Sequence, residues 1–185
     1  AAGKGGAIRR VTAAMDARMY HVVPIAAPSE DELAQPYLWR FWRQIPPRGH
    51  AVIFDRSWYG RVLVERVEEY ANTADWVRAY SEIVEFEQHL VDHGAVVVKL
   101  WLQIDADEQL RRFREREETG FKRFKITDDD WRNREQWDAY RAAVNDMVER
   151  TSTELAPWTL VEANDKHFAR VKVLQTVCDA IDNAK

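Results

Sequence analysis

Ala1-Ala2-Gly3-Lys4-Gly5-Gly6-Ala7-Ile8-Arg9-Arg10-Val11 opens the chain: a glycine-rich turn carrying one lysine and running straight into a helical pattern. Backbone N–H groups in such a turn, a helix N-terminus and a single ammonium together make an anion site. A turn of this kind normally links a buried parallel strand to a helix. It therefore predicts an α/β fold whose first strand lies upstream of Ala1, missing from the sequence at hand.

Outward from the turn, helices and strands alternate. Ile8, Val11, Ala14 and Met15 share one face of a helix over Gly6 to Ala17, and Tyr20 to Ile25 reads as a short strand. Ser29, followed three residues later by Glu32, has capping-box spacing. A helix should follow through Trp39, Phe41 and Trp42 until Pro46-Pro47 stops it. Ala51-Val52-Ile53-Phe54 is a continuous apolar run, the pattern of a buried parallel strand. Trp76, Tyr80, Ile83, Phe86 and Leu90 place a helix over Asp75 to His93, ended by Gly94. A strand over Ala95 to Ile104, a charged helix over Asp107 to Glu118 and a break over Thr119 to Thr127 come next. Helix over Asp128 to Ser152, a brief strand at Thr159 to Val161 and a helix over Lys166 to Ile181 complete the chain. The alternation predicts one α/β domain spanning residues 1–185, with a parallel sheet and right-handed crossovers.

Composition narrows the function. The 185 residues include no apolar run of membrane-spanning length and no signal-peptide pattern. The net charge of −4 argues against a general nucleic-acid binder, so any polyanion site must be local. The single cysteine, Cys178, excludes an internal disulfide framework and fits a reducing cytoplasm. Its apolar helical surroundings place it in the core.

Two further segments carry chemistry. In Val52-Ile53-Phe54-Asp55-Arg56-Ser57-Trp58-Tyr59-Gly60, an aspartate ends an apolar parallel strand, where open α/β sheets bind ligands. In phosphate-loop enzymes that carboxylate holds Mg²⁺ beside the phosphates. Alone it reads rather as a turn residue capping the next segment; beside Gly3, Lys4, Gly5 and Gly6 the metal role is favoured. Arg56 suits a transferring phosphoryl group. The second segment runs from Leu110-Arg111-Arg112-Phe113-Arg114-Glu115-Arg116 to Phe121-Lys122-Arg123-Phe124-Lys125. Arg112 and Arg116 share a helix face, and Lys122, Arg123 and Lys125 fall in a poorly helical stretch. A basic segment of this kind, over about residues 111–135, suits a lid that closes on phosphates, although a charge run is commonly a solvated face. Arg9 and Arg10, close to a helix N-terminus where cations are disfavoured, point to a compensating polyanion. Arg61 and Arg66 are candidates for the same groove, and Trp58 and Tyr59 stand at the sheet's ligand edge. The five histidines show no metal-ligand spacing.

Together the three segments resemble the polyphosphate kinase type 2 family, and most closely its class II branch, the polyphosphate:AMP phosphotransferases. The residues that carry the likeness are Ala1 to Arg10, Phe54-Asp55-Arg56-Ser57-Trp58-Tyr59-Gly60-Arg61-Val62-Leu63-Val64-Glu65-Arg66-Val67 and Phe121 to Ile126. Asp130 through Trp137 to Tyr140 extends it. The resemblance implies a three-layer P-loop kinase fold, thymidylate-kinase-like, with a helical lid. It implies Lys4, Asp55 and Arg56 as catalytic residues, Asp55 as a Mg²⁺ ligand, and Arg116, Lys122 and Lys125 as lid cations on the phosphate chain. It further implies inorganic polyphosphate and AMP or ADP as substrates, and a fused homologous domain upstream or a homo-oligomer. Gly5 stands where common phosphate loops have a metal-binding serine or threonine; the family supplies an aspartate just before the two alanines instead. Two alternatives remain open at this point. One is an ATP-dependent nucleotide kinase, which has less use for Arg9, Arg10 and the long basic arm. The other is a non-catalytic polyphosphate-binding or assembly domain, which has no need of Lys4, Asp55 and Arg56 together.

Overall fold

Two parallel strand pairs frame the molecule. In the computed structural model, which describes residues 2–119 and 128–184 (side chains in the second stretch from Asp130), β1 (Tyr20–Pro24) pairs with β2 (Ala51–Asp55). Likewise β3 (Lys99–Gln103) pairs with β4 (Trp158–Glu162). The expected single sheet is thus two ribbons among the described residues, with no pairing between β2 and β3. This accounts for a difference from the sequence reading: β2 is apolar along its length but only half-buried, because a two-stranded ribbon leaves one edge of each strand uncovered.

The helices follow the predicted order with revised ends. Helix α1 (Lys4–Thr12) begins two residues earlier than periodicity indicated and ends sooner. The helix expected from Ser29 to Trp42 is two single turns, α2 (Glu30–Leu33) and α3 (Trp39–Trp42). The capping box forms, with Ser29 accepting from the Glu32 N–H and Glu32 from the Ser29 N–H. Pro36 then interrupts, since it has no N–H to give and turns Gln35 away from helical geometry. A 3₁₀ turn (Trp58–Val62) and α4 (Val64–Val67) lead to the long α5 (Thr73–Asp92), whose N-cap Asn72 accepts from the Asp75 N–H at 2.9 Å. Gly94 closes α5 at φ +92°, a left-handed conformation that glycine adopts without penalty. Helix α6 (Ala106–Glu118) is capped by Asp105, which accepts from the Glu108 N–H at 2.7 Å. The predicted helix over 128–152 is broken at Gln136 into α7 (Asp128–Glu135) and α8 (Trp137–Thr151). Helix α9 (Lys166–Asn183) ends the fold.

Packing divides the interior in two. The larger core gathers Phe41, Trp58, Ile83, Phe86, Leu90 and Met147 around the inner face of α5. The smaller joins Ala7 of α1 to Ile104, Val161, Ala169 and Val173, and so seats α1 on α9 beside β4. Cys178, expected in the core, is exposed. Helical pitch places it with Phe168, Val171 and Ile181 on the outer side of α9, opposite Ala169 and Val173. None of the helices among the described residues is long and apolar enough to cross a membrane.

Phe86 is the clearest gauge of the larger core, being 2% exposed and meeting the Trp42 and Trp58 rings edge-on at 4.6 and 4.8 Å. Replacing Phe86 with alanine is expected to destabilise the protein by about 3–5 kcal/mol, read as a lower urea midpoint. Val171→Ala on the exposed face of α9 should change stability by less than about 0.5 kcal/mol.

Candidate active site

The glycine turn and the end of β2 meet. Gly3 sits at φ +99°, and its carbonyl accepts from the N–H groups of Gly6 (2.9 Å) and Ala7 (3.1 Å), which starts α1 at Lys4. The amides of Lys4 and Gly5 precede the first helical bond and so lack intrahelical partners. They lie at the positive end of a nine-residue helix. The Lys4 ammonium pairs directly with the Asp55 carboxylate, and both side chains remain open to solvent, at 45% and 31% exposure. Arg56 follows at φ +66°, an unusual left-handed backbone for a residue with a side chain, and its guanidinium is exposed.

Beside this contact lies a cleft of about 440 Å³ between α1, α6 and α9. Its cations are Arg9, Arg10, Arg112, Arg116, Lys166 and Arg170; its one acid is Glu115, 4.0 Å from Lys166. Among the described residues Arg9, Arg10, Arg116 and Arg170 have no carboxylate partner. A Cβ on Gly6 would come within 3.3 Å of the Arg170 guanidinium, so the bare glycine lets the loop and that arginine lie together. A concavity holding several unneutralised cations, opening from a helix N-terminus, is built for a ligand of repeated negative charge.

The family described as Polyphosphate kinase 2 (PPK2) matches residues 1–185, the whole chain. The chain belongs to this family. It is 68% identical over 184 residues to a polyphosphate:AMP phosphotransferase of Pseudomonas aeruginosa, an alignment covering 100% of this chain and 37% of that protein. It therefore spans little more than a third of that relative's length. A solved structure from Pseudomonas aeruginosa superposes with a TM-score of 0.97 at 68% identity, over 99% of this chain and 40% of the other. The polyphosphate kinase 2 of Arthrobacter aurescens gives 0.96 at 38% identity, over 100% and 65%. The fold is accordingly the α/β, parallel-stranded kind of the P-loop kinases, as the sequence indicated.

Against this geometry the predicted site residues sort unevenly. The Lys4–Asp55 pair brings the turn of Gly3, Lys4, Gly5 and Gly6 to the end of β2, where Arg56 is next along the chain, and Arg9, Arg10, Arg112 and Arg116 line the adjoining cleft. The reason offered for Arg9 and Arg10 does not hold, however. With α1 ending at Thr12 they occupy its last turn, where the dipole favours cations. Arg112 is 2% exposed and donates to the carbonyls of Ala163 (2.7 Å) and Asn164 (2.9 Å) while pairing with Glu108. Its first task is to tie α6 to the β4–α9 turn beneath Gly3. Arg66 is corrected to a structural role: it binds Asp146 and Tyr80 (2.7 and 2.9 Å) and stacks on Trp76. Arg61 likewise lies against Glu65 and the Tyr37 ring. Trp58 and Tyr59 are buried rather than presented to ligand. Lys122, Arg123 and Lys125 lie outside the described residues, so only the two ends of the expected lid, in α6 and α7, are visible. Sequence reasoning missed Lys166 and Arg170, although their four-residue spacing at the start of a helix following a strand was a usable signal.

Glu108 anchors both Arg111 and Arg112. The hydrogen bonds from Arg111, then those from Arg112, outweigh partial burial and hold its carboxyl down at about 2, against an ordinary 4.5. A depressed carboxyl contributes stability that is complete above the unfolded value and lost as pH falls through the folded one. Wild type should therefore be more stable than Glu108→Gln above about pH 4.5, with the gap closing toward pH 2. Urea titrations of both proteins across that range check it; a gap that stays constant contradicts the assignment.

Proposed function

We propose that this chain carries phosphoryl transfer from inorganic polyphosphate to a nucleoside monophosphate, AMP foremost, yielding ADP and a shortened chain. The observation that carries the reading is the Lys4–Asp55 contact on the same glycine turn whose Gly3 and Gly6 line a cleft holding Arg9, Arg10, Arg116 and Arg170, which have no carboxylate partner among the described residues. A triphosphate donor needs few such cations; a polymer carrying roughly one charge per phosphate needs a track of them. This favours polyphosphate over ATP as donor. The 68% identity to a protein named for AMP supports the acceptor.

In this reading the terminal phosphates of the donor sit over the N-terminus of α1, held by the Lys4 and Gly5 amides. The tail follows Arg9, Arg10, Arg116, Lys166 and Arg170. Lys4 leaves Asp55 for the transferring phosphoryl group, since phosphate oxygens offer an ammonium more negative charge than one carboxylate does. Arg56 meets the charge on the equatorial oxygens from the other side. Phosphoryl transfer asks little covalent chemistry of a protein and much charge stabilisation and alignment. In the same reading the lid expected over about residues 111–135, whose middle lies outside the described residues, excludes water, which would otherwise hydrolyse the donor.

Asp55 suits Mg²⁺. It is a half-exposed carboxylate at a strand end, and Mg²⁺ commonly takes one or two carboxylates with substrate phosphates completing its shell. Among the described residues no group of three or more His, Cys, Asp or Glu side chains could hold an ion unaided, so Asp55 would share a Mg²⁺ with water, substrate phosphates and the upstream aspartate that the family resemblance implies. Bound there, Mg²⁺ supplies positive charge to the phosphates that Lys4 and Arg56 also neutralise. A fused homologous domain, or a second copy, completes the protein as it works.

The test is to follow ADP formation from AMP, polyphosphate and Mg²⁺ by the intact protein. Lys4→Ala should lower kcat/KM on the order of 10²–10³-fold, the usual loss for one donor to a developing charge, with the melting temperature little changed. Turnover with ATP but not polyphosphate as donor, or an active Lys4→Ala protein, rejects the reading.

A further inference from the structure

A buried ion pair stands against the two side chains that follow Ser57, just beyond the end of β2. Lys99 of β3 and Glu87 of α5 are 4% and 2% exposed, and their charged groups meet at 2.7 Å. Glu87 Oε1 accepts from the Trp58 indole N–H (2.9 Å) and the Tyr59 hydroxyl (2.8 Å). The Lys99 ammonium donates to the same hydroxyl (3.0 Å) and to the Thr151 carbonyl (2.6 Å). The Tyr37 hydroxyl donates to the Trp58 carbonyl, and the Trp58 ring meets those of Phe54 (5.2 Å) and Phe86 (4.8 Å) edge-on. Both side chains that follow Ser57 are thus pinned by hydrogen bonds as well as by packing.

Such a pair is a poor way to gain stability. Burial drives the Lys99 ammonium below its ordinary pKa, and apolar residues of similar volume often serve a core as well. What the pair does supply is fixed geometry, two and three residues beyond Arg56. Arg56 holds φ +66°, a conformation that persists only where its surroundings over-determine it. On one side Asp55 is fixed by strand pairing, with the Ile25 N–H on its carbonyl at 3.0 Å. On the other, the chain is fixed by the Glu87–Lys99 network.

We propose that Glu87 and Lys99 are positioning residues for phosphoryl transfer: by anchoring Trp58 and Tyr59 they hold the backbone of Arg56, next to Asp55, in its left-handed conformation. This rests on the function proposed above for Arg56, yet one of its two readouts is independent of activity.

The deciding variant is Glu87→Leu/Lys99→Met in the intact protein, which keeps volume and removes both charged anchors of the Trp58 and Tyr59 side chains while leaving the Tyr37–Trp58 bond. With the protein folded at the assay temperature, kcat for ADP formation should fall on the order of 10-fold or more while KM for AMP stays within about twofold. That pattern belongs to transition-state alignment rather than ground-state binding. Glu87→Gln/Lys99→Met, which leaves an acceptor for Trp58 and Tyr59, should recover most of the loss. The independent readout is a thermal double-mutant cycle with Arg56→Gly. Glycine relieves the strain only where the strain is imposed, so its effect on melting temperature should be more favourable in wild type than in the anchor-less background, by about 2–4 °C. Equal shifts in the two backgrounds overturn the proposal even if the enzyme is active as described. Should Glu87→Leu/Lys99→Met fail to fold, Tyr59→Phe, which removes only the hydroxyl shared by both charges, serves in both readouts. An unchanged kcat and an additive cycle for Tyr59→Phe likewise overturn the proposal. An inactive wild type with a coupled cycle instead rejects the function while the backbone anchor stands.

Discussion

The contact between Lys4 and Asp55 is the constraint on which the site depends. One residue opens a helix and the other ends a strand, so their meeting fixes the entry of α1 against the end of β2. Neither charge is consumed by the contact. Both stay partly in water, where an exposed pair contributes little to stability. Its value lies in readiness: an incoming phosphate can take the ammonium, and a cation accompanying that phosphate can take the carboxylate. The pair stands in for the ligand and keeps two like-minded partners from drifting apart.

Net charge conceals this arrangement. A chain of −4 overall still gathers four arginines without carboxylate partners, among the described residues, on one cleft, while elsewhere acids and bases pair at helical spacing, as in Arg78 with Asp75 and Glu82. Polyanion recognition by such a protein is a matter of local field. The helix N-terminus provides partial positive charge at the reacting end and side chains provide full charges along the tail.

How far the sequence could be read depended on whether the determinant was local. The turn at Gly3, the capping box at Ser29 and the apolar spacing of α5 are set by neighbours along the chain, and each was legible. The three catalytic candidates were legible because loop and strand end carry them in recognisable company. What was hidden is set by distant partners. Nothing near Arg66 announces Asp146, eighty residues on, and nothing near Trp58 announces Glu87. Pro36 divides what the capping box and aromatic spacing present as one helix into two single turns. Cys178 was assigned inward from the apolar character of its helix, although the outer face of α9 is itself apolar.

Cations at this site divide by saturation rather than by position in the sequence. Arg112, Arg66 and Lys99 are held by carbonyls, carboxylates or hydroxyls, and Arg112 and Lys99 lie almost wholly out of water. Recruiting any of them for a phosphate would strip a buried or half-buried acceptor of its partner, at about 1–3 kcal/mol for each group left bare. Arg9, Arg10, Arg116 and Arg170 carry no such obligation among the described residues. A phosphate gained by one of these replaces water alone. The same residue type therefore does two jobs a few ångströms apart: the satisfied arginine under Gly3 keeps the cleft's shape, and the unsatisfied ones along its wall give that shape its use.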